Sequence, residues 1–331
     1  MTQQTHTHSV MDSSKRALIS GCTGQDGSIL AEFLLNKGYI VYGLVRRVST
    51  PNYINIKHIL DRLNIIEGDL ADSASIDRAI TIAQPDEVYN LGAMTFVGHS
   101  FNAKQVTLDI TGQGAVRVFE SVRRYAPKAK VYQASSSEMF GKNDGGLQNE
   151  KTQFYPRSPY GCAKVLAHQA AINFREAYGL QISCGISFNH ESPRRGTEFL
   201  SRKVTHAVAR IKCGLQKDLR LGNLDTARDF GYAPEYVQGM WLMHQNDPDD
   251  YIMATGEART IKEWVEEAFR CVGLDPWKYV KQDKRFMRPS DVPYLCGDPS
   301  KIHRQLGWKA RTRFSDLVKL MVEADLERLK T

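Results

Sequence analysis

ALISGCTGQDGSILAEFLLNKG, residues 17–38, carries glycines at 21, 24 and 27 between a short apolar run and a longer amphipathic one. ALIS reads as a buried strand, and SILAEFLLNKG has the apolar spacing of a helix. Glycines between the two permit a tight turn and let the backbone approach a pyrophosphate, which the free amides and dipole of the helix N-terminus stabilise. A glycine triplet alone is weak evidence. Following a strand, opening a helix and heading an alternating chain, it predicts a dinucleotide loop made by Gly21, Thr23, Gly24, Gln25, Asp26 and Gly27.

The alternation continues downstream. Strands are expected at 17–20, 40–45, 64–68, 87–91, 130–135 and 182–187, with helices at 28–37, 54–62, 72–83, 102–125 and 160–178. This is the pattern of an α/β fold, a Rossmann-like doubly wound parallel sheet with helices on both faces. After about residue 188 the rhythm loosens around Pro193 and Gly196, with helices expected near 199–213, 233–245, 260–272 and 315–329 and short strands near 219 and 252. Residues 16–188 therefore read as the dinucleotide-binding domain and 189–331 as mainly a smaller, mixed α/β C-terminal substrate lobe interleaved with it, after a flexible tail at 1–15. Substrate is expected in the crevice between them, at the strand ends.

A length of 331 residues suits one large domain with an appendage. No apolar run approaches the roughly 20 residues that span a bilayer, and MTQQTHTHSVMDSS lacks the apolar centre of a signal peptide, so a cytoplasmic protein with no membrane partner is expected. Six cysteines stand singly, without metal-ligand or disulfide spacing, which predicts free thiols and no metal site. His6 and His8 fall in the tail, expected to be disordered. The net charge of +7 raises nucleic acid as a partner, but the basic residues form no aromatic-laced stripe and mostly neighbour acidic ones. No nucleic-acid partner is expected; isolated arginines suit a nucleotide diphosphate.

The end of the second strand carries the cofactor choice. NAD-binding units usually place an acidic residue there for the ribose hydroxyls, whereas GLVRR ends in Arg46 and Arg47, whose guanidinium groups suit a 2′-phosphate and predict NADP. Asp69, at the end of the third strand, could accept from an adenine amine or cap the next helix. Tyr160 and Lys164 stand one helical turn apart, and an ammonium beside a phenol favours the phenolate, lowering a pKa that starts near ~10 and making Tyr160 a usable base. In QASSSEMFG, residues 133–141, Ser136 and Glu138 lie two apart on an extended run and should share the side facing the crevice, with Ser135 and Ser137 pointing away.

The glycine loop with Tyr160 and Lys164 resembles the extended short-chain dehydrogenase/reductase family. Within it, TGQDGS (23–28), GLVRR (43–47), EVYNLGA (87–93), SSEMFG (136–141), FYPRSPYGCAK (154–164), FNHESPRRG (188–196), LGNLDTARDFG (221–231), MWLMHQND (240–247) and ATGEA (254–258) are similar to the GDP-mannose 4,6-dehydratases, over nearly the whole chain from residue 16. The resemblance implies an NADP-dependent hydro-lyase acting on a GDP-manno sugar: hydride leaves sugar C4, the C5 proton is removed, water is eliminated across C5 and C6, and the same hydride returns to C6. It gives Tyr160 the C4 hydroxyl proton, Lys164 the nicotinamide ribose, Glu138 the C5 proton and the C6 leaving group, and Ser136 a hydrogen bond to the C4 oxygen. It sets Asp69, Leu70, Leu91, Gly92, Ala93, Thr95, His190 and Arg195 around the cofactor. Thr95, Asn189, Lys203, Asn223, Arg228 and Arg288 join Ser136 and Glu138 around the substrate, Arg228 and Arg288 suiting a diphosphate. It also implies a homodimer or homotetramer, with Arg47, Ser49 and Asn52 at the interface.

The departures bear on specificity. The family commonly has threonine at position 136, glutamine and serine at 94 and 95, tyrosine at 106 and tryptophan at 230, where this chain has Ser136, Met94, Thr95, Val106 and Phe230. A serine keeps the hydroxyl, but Met94 and Val106 remove polar groups expected near the ligands. Because manno-heptose shares the manno configuration up to C5, a GDP-manno-heptose 4,6-dehydratase is an alternative, as, more distantly, is an epimerase or reductase of the same fold. The carboxylate of Glu138 has a use only in a dehydratase, and a non-enzymatic dinucleotide sensor has no use for Ser136, Glu138, Tyr160 and Lys164 together.

Overall fold

The structure, a computed structural model, describes residues 14–143 and 145–330; most of the tail expected at 1–15, with His6 and His8, lies outside the described residues. Its strands are β1 (Arg16–Ser20), β2 (Ile40–Val45), β3 (Asn64–Glu67), β4 (Glu87–Asn90), β5 (Lys130–Ser136), β6 (Gln181–Ser187), β7 (Asn189–Glu191), β8 (Leu219–Leu221), β9 (Ala227–Tyr232), β10 (Asp250–Met253), β11 (Ala258–Thr260), β12 (Val280–Gln282) and β13 (Tyr294–Leu295). Its helices are α1 (Gln25–Asn36), α2 (Ser73–Ala83), α3 (Val97–Ser100), α4 (Lys104–Thr107), α5 (Gly114–Tyr125), α6 (Pro159–Tyr178), α7 (Leu200–Lys212), α8 (Ala233–His244), α9 (Ile261–Arg270), α10 (Ser300–Leu306) and α11 (Phe314–Arg328).

Seven strands pair in parallel in the order β3-β2-β1-β4-β5-β6-β10. Parallel strands buried on both faces need near-continuous apolar runs, which ALIS and IVYGLV supply. The winding reverses between β1 and β4, which opens a crevice beyond their carboxyl ends. Leu30 and Leu34 of α1 and Val237 and Met240 of α8 fill one face, and Ile76 and Ile80 of α2 with Val118, Phe119 and Val122 of α5 fill the other.

Three helix expectations need correction. The first helix begins at Gln25 rather than 28, because the Gly24 carbonyl already accepts the Ser28 amide at 3.1 Å. The segment expected as a helix at 54–62 is a 3₁₀ turn over Lys57–Arg62. The long helix expected at 102–125 is α4, a wider π turn over Leu108–Gln113, and α5. Gly112 and Gly114 give little helix propensity there, and Thr111 spends its hydroxyl on the Met94 amide at 3.1 Å.

The chain after β6 builds a second core. Strand β9 is its centre, flanked by β7 and β13 in parallel and by β11 antiparallel, and covered by α7, α9 and α11 through Val204, Val208, Trp264, Phe269, Leu317 and Met321. The capping box of Thr260 and Glu263 starts α9. The chain crosses back twice: β10 extends the first sheet beside β6, and α8 packs on α1, with Trp241 edge-on to Phe33 at 5.9 Å. Among the described residues, no helix is long and apolar enough to cross a membrane.

Candidate active site

The loop after β1 turns through Gly21, at φ +72°, whose carbonyl accepts the Gly24 amide at 3.0 Å. A Cβ at Gly27 would stand 2.3 Å from the Gly21 carbonyl oxygen, so only glycine lets α1 begin against the loop. Gly92 closes the other side: its amide donates to Ser20 Oγ at 3.0 Å, and a Cβ there would meet Leu70 at 2.8 Å. Gly21, Gly27 and Gly92 thus bring the loop after β1 and the start of α1 close to the end of β4, at the switch between β1 and β4. Arg46 and Arg47 follow β2 and are exposed. Asp69 accepts the Ala71 amide at 2.9 Å; the cap of α2 is Asp72, not Asp69, through the Ala74 amide.

A buried polar ladder starts at this switch. Ser20 donates to Asn90 and Asn90 to Gln133, each at 2.8 Å, crossing β1, β4 and β5. Strand β5 ends at Ser136, and Ser136 Oγ caps the 3₁₀ turn of Ser137–Met139 by accepting the Glu138 amide at 3.2 Å. Glu138 is therefore on a turn, not on the extended run expected from its spacing. Both residues nevertheless act on the Tyr160 phenol, Ser136 favouring its ionised form and the Glu138 carboxylate opposing it. Ser135 points the other way, hydrogen-bonded to His168 at 2.9 Å.

Ser158 places Tyr160 and Lys164. Its hydroxyl accepts the Gly161 amide at 3.0 Å and starts α6, with Pro159 at the first helical position. Lys164 is buried, donates to the Ala134 carbonyl at 2.7 Å and lies 5.7 Å from the Tyr160 ring centre. The electrostatics differ from expectation. Burial pushes the Tyr160 phenol up to about 12, against the lowering by Ser136 and Arg195. Burial also takes Lys164 down to about 8, opposed by the charge of Asp26. In the chain by itself burial therefore raises the tyrosine pKa, with Glu138 and Asp26 adding to the rise, where the sequence predicts a lowering by the Lys164 ammonium.

The arginines expected to hold a diphosphate converge on the same turn. Arg288 lies 3.7 Å from Glu138 and 3.8 Å from Asp291, and Arg228 lies 3.7 Å from Asp291. One edge of Arg228 is already committed to the Ala227 and Val292 carbonyls at 2.9 and 2.8 Å. Asn189 pairs with Phe230 across β7 and β9. Lys203 donates to the Arg220 carbonyl at 2.7 Å and sits 3.6 Å over the Phe286 ring, beside an open cavity of about 400 Å³ that Thr197, His206 and Asp218 also line. Asn223 accepts the Asp225 amide at 3.0 Å, and Thr95 is exposed near the crevice. Phe230 belongs to the second core, 4.6 Å from Trp264, so its departure from tryptophan falls in packing. Asn52 accepts the Ile54 amide in the exposed segment with Arg47 and Ser49.

Sequence reasoning missed Asp291, which lies near both arginines, and Ser158, which starts α6. Ser158 was detectable as a serine before proline at a helix start; Asp291 meets its partners only in the fold. Among the described residues, His168, Cys184 and Asp250 bring possible metal-ligand atoms within 4.8 Å of one another. Arg175 takes both Asp250 oxygens, at 3.0 and 3.2 Å, and Ser135 takes His168, so this group is an internal ion-pair network.

A family model described as GDP-mannose 4,6 dehydratase matches residues 18–321. GDP-mannose 4,6 dehydratase 1 of Arabidopsis thaliana is 49% identical over 96% of this chain and 91% of its own length, and GDP-mannose 4,6 dehydratase of Homo sapiens is 44% identical over 95% and 92%. Among solved structures, DesIV (dTDP-glucose 4,6-dehydratase) from Streptomyces venezuelae with NAD and TYD bound superposes at a TM-score of 0.85, with 22% identity over 95% of this chain and 98% of that one. The UDP-glucose 4-epimerase of Thermus thermophilus, in complex with NAD, gives 0.83, with 23% identity over 94% and 98%. These two likenesses carry the fold.

Proposed function

The chain belongs to the GDP-mannose 4,6-dehydratase family, and from that premise we propose that it converts GDP-mannose to GDP-4-keto-6-deoxymannose and water. The observation that carries the reading is that Ser136 and Glu138, at the end of β5, both act on Tyr160, with the Arg288 guanidinium 3.7 Å from Glu138.

A nicotinamide cofactor fits the glycine loop, and the exposed Arg46 and Arg47 favour NADP through a 2′-phosphate. When bound, it supplies reversible hydride acceptance. Lys164 holds the ribose side of the site. Tyr160 would take the C4 hydroxyl proton once a bound cofactor's positive charge had brought its phenol down from the raised value it has in the chain by itself, while Ser136 donates to the same oxygen. A ketone at C4 acidifies C5–H, and Glu138 removes that proton, then passes it to the departing C6 hydroxyl. The C5 carbon loses a proton, C6 loses hydroxide, and the two leave as water, so the sugar gains a C5–C6 double bond; Glu138, reprotonated at the expense of the proton taken from the C4 hydroxyl, would return a proton to C5, and a bound cofactor would supply the hydride that C6 needs. Arg228 and Arg288 offer paired donors to the GDP diphosphate.

Mass spectrometry of GDP-mannose incubated with the protein tests the reading: a product lighter by one water supports it, and unchanged substrate or an isomer of equal mass refutes it. The sugar itself is decided in the same assay by offering GDP-manno-heptose beside GDP-mannose; Met94 and Val106, where the family has polar groups, support the heptose as the second reading. We also read the protein as a homo-oligomer, supported by the exposed apolar side chains of Val106, Leu108 and Leu166 and by the exposed 47–52 segment.

A further inference from the structure

His190 lies on β7 with a side chain only 12% exposed, and both of its ring nitrogens face acceptors. Nδ1 is 2.7 Å from the Phe188 carbonyl oxygen and Nε2 is 2.8 Å from Asp26 Oδ2. A neutral imidazole has one N–H and would turn a lone pair on one of these oxygens; an imidazolium donates to both. The ring also stacks on Tyr236, with centres 4.6 Å apart and planes 18° apart.

The neighbours form a strap. Gln25 donates to Asp26 Oδ1 at 2.9 Å and to the His190 carbonyl at 3.0 Å, and accepts from Ser192 at 2.9 Å. Arg194 reaches Ser28 at 3.2 Å and Glu32 at 2.7 Å. The first turns of α1 are thus stitched to the segment 190–194, which continues from β7, itself paired with β9 of the second core.

We infer that His190 stands as an imidazolium that cancels the charge of Asp26 at the mouth of the dinucleotide loop, a positioning residue tying that loop to the substrate lobe. The inference rests on the reading that the loop holds a dinucleotide. A bare carboxylate there would repel a pyrophosphate; the ion pair removes that repulsion and fixes the helix that must receive it. The charged groups facing His190 are Asp26 from α1, which favours the imidazolium, and Arg195 from the following loop, which opposes it; Tyr236 faces it from α8. Burial works against the charge, and Asp26 with the Phe188 carbonyl outweighs it, so the imidazole pKa is raised. Asp26 is correspondingly held at about 2: burial would raise it, and His190, Gln25 and Arg195 bring it down. The ion pair is therefore complete below the ordinary histidine range and is lost as pH rises through the raised value.

The test has two arms. NMR of the cofactor-free full-length protein, with labelled histidine, follows the His190 ring nitrogens against pH in the wild type and in Asp26→Asn. A charged His190 at pH 7 that becomes neutral in Asp26→Asn supports the inference, and a neutral His190 in the wild type overturns it. Fluorescence titration with NADPH then compares wild type and His190→Gln from pH 6 to 9. The wild type should bind more weakly as His190 loses its proton, and His190→Gln should bind roughly tenfold more weakly at pH 7 with no such step, the loss appearing in Kd and KM more than in kcat. NADPH binding that is independent of pH and unchanged in His190→Gln overturns the positioning role. If the wild type fails to bind NADPH at all, the dinucleotide reading falls and the positioning role with it, while the NMR arm still decides the charge.

Discussion

On the proposed mechanism Glu138 separates this site from a plain oxidoreductase site, since hydride transfer at C4 would need only Tyr160, Ser136 and Lys164. Glu138→Gln keeps the turn that Ser136 caps and the neighbour of Arg288, but removes the base. Cofactor binding should persist while dehydration falls by at least about a hundredfold, within the range general-base removal usually costs; product formation at the parent rate would remove Glu138 from the mechanism. Lys164 gives a prediction with a definite sign. Its fall from 10.5 to about 8 means the folded, cofactor-free chain carries a buried ammonium at a cost of about 3 kcal/mol. The unfolded chain binds more protons between those values, so stability should rise as pH goes from 8 toward 10.5. Lys164→Met should abolish turnover and flatten that rise, measured by urea unfolding at several pH values. At this scale the sequence disclosed the motif residues Gly21, Tyr160, Lys164 and Glu138. It hid Asp291, more than 150 positions from the turn it faces through Arg288, because an ion pair of that span leaves no local spacing to read.

At the scale of elements, the site depends on where α1 and α6 begin. Ser158→Ala removes the hydroxyl that accepts the Gly161 amide and should cost about 1 kcal/mol in urea unfolding. Because Tyr160 lies in that first turn, kcat should fall further than stability explains; an unchanged kcat would show that the cap does not position the tyrosine. Gly27→Ala would place a Cβ 2.6 Å from Cys22 Cα as well as against the Gly21 carbonyl, both backbone atoms that cannot yield cheaply. Loss of NADPH binding in a folded protein is the expected outcome of that change. The parallel strands and α1 were legible because buried strands and an amphipathic helix write their period into the sequence. The breakup of 102–125 was not, since the π turn depends on the Thr111 hydroxyl serving Met94 across a loop. Glu138 was expected on a strand for a related reason: only the fold shows that β5 stops at Ser136 so that Ser136 can cap the turn.

At the scale of the molecule, the chain builds a seven-stranded parallel sheet and a second core around β9. The two are joined by β10, α8 and the strap at 190–194. The alternation of strands and helices foretold the sheet, whereas the return of β10 to its edge needed the long-range pairing with β6. On the proposed reading Arg46 and Arg47 would set the cofactor preference: Arg46→Ala with Arg47→Ala should weaken NADPH by roughly 10- to 100-fold and leave NADH nearly unchanged, as expected for losing charge-assisted bonds to one phosphate. Equal losses for both would assign the arginines elsewhere. The central claim, that one site oxidises C4, eliminates water and returns the same hydride, is tested most directly with GDP-mannose carrying deuterium at C4. Mass spectrometry and NMR of the product should find one water lost and the deuterium at C6. A dehydrated product without the deuterium, or a GDP-hexose isomer of unchanged mass, would contradict it.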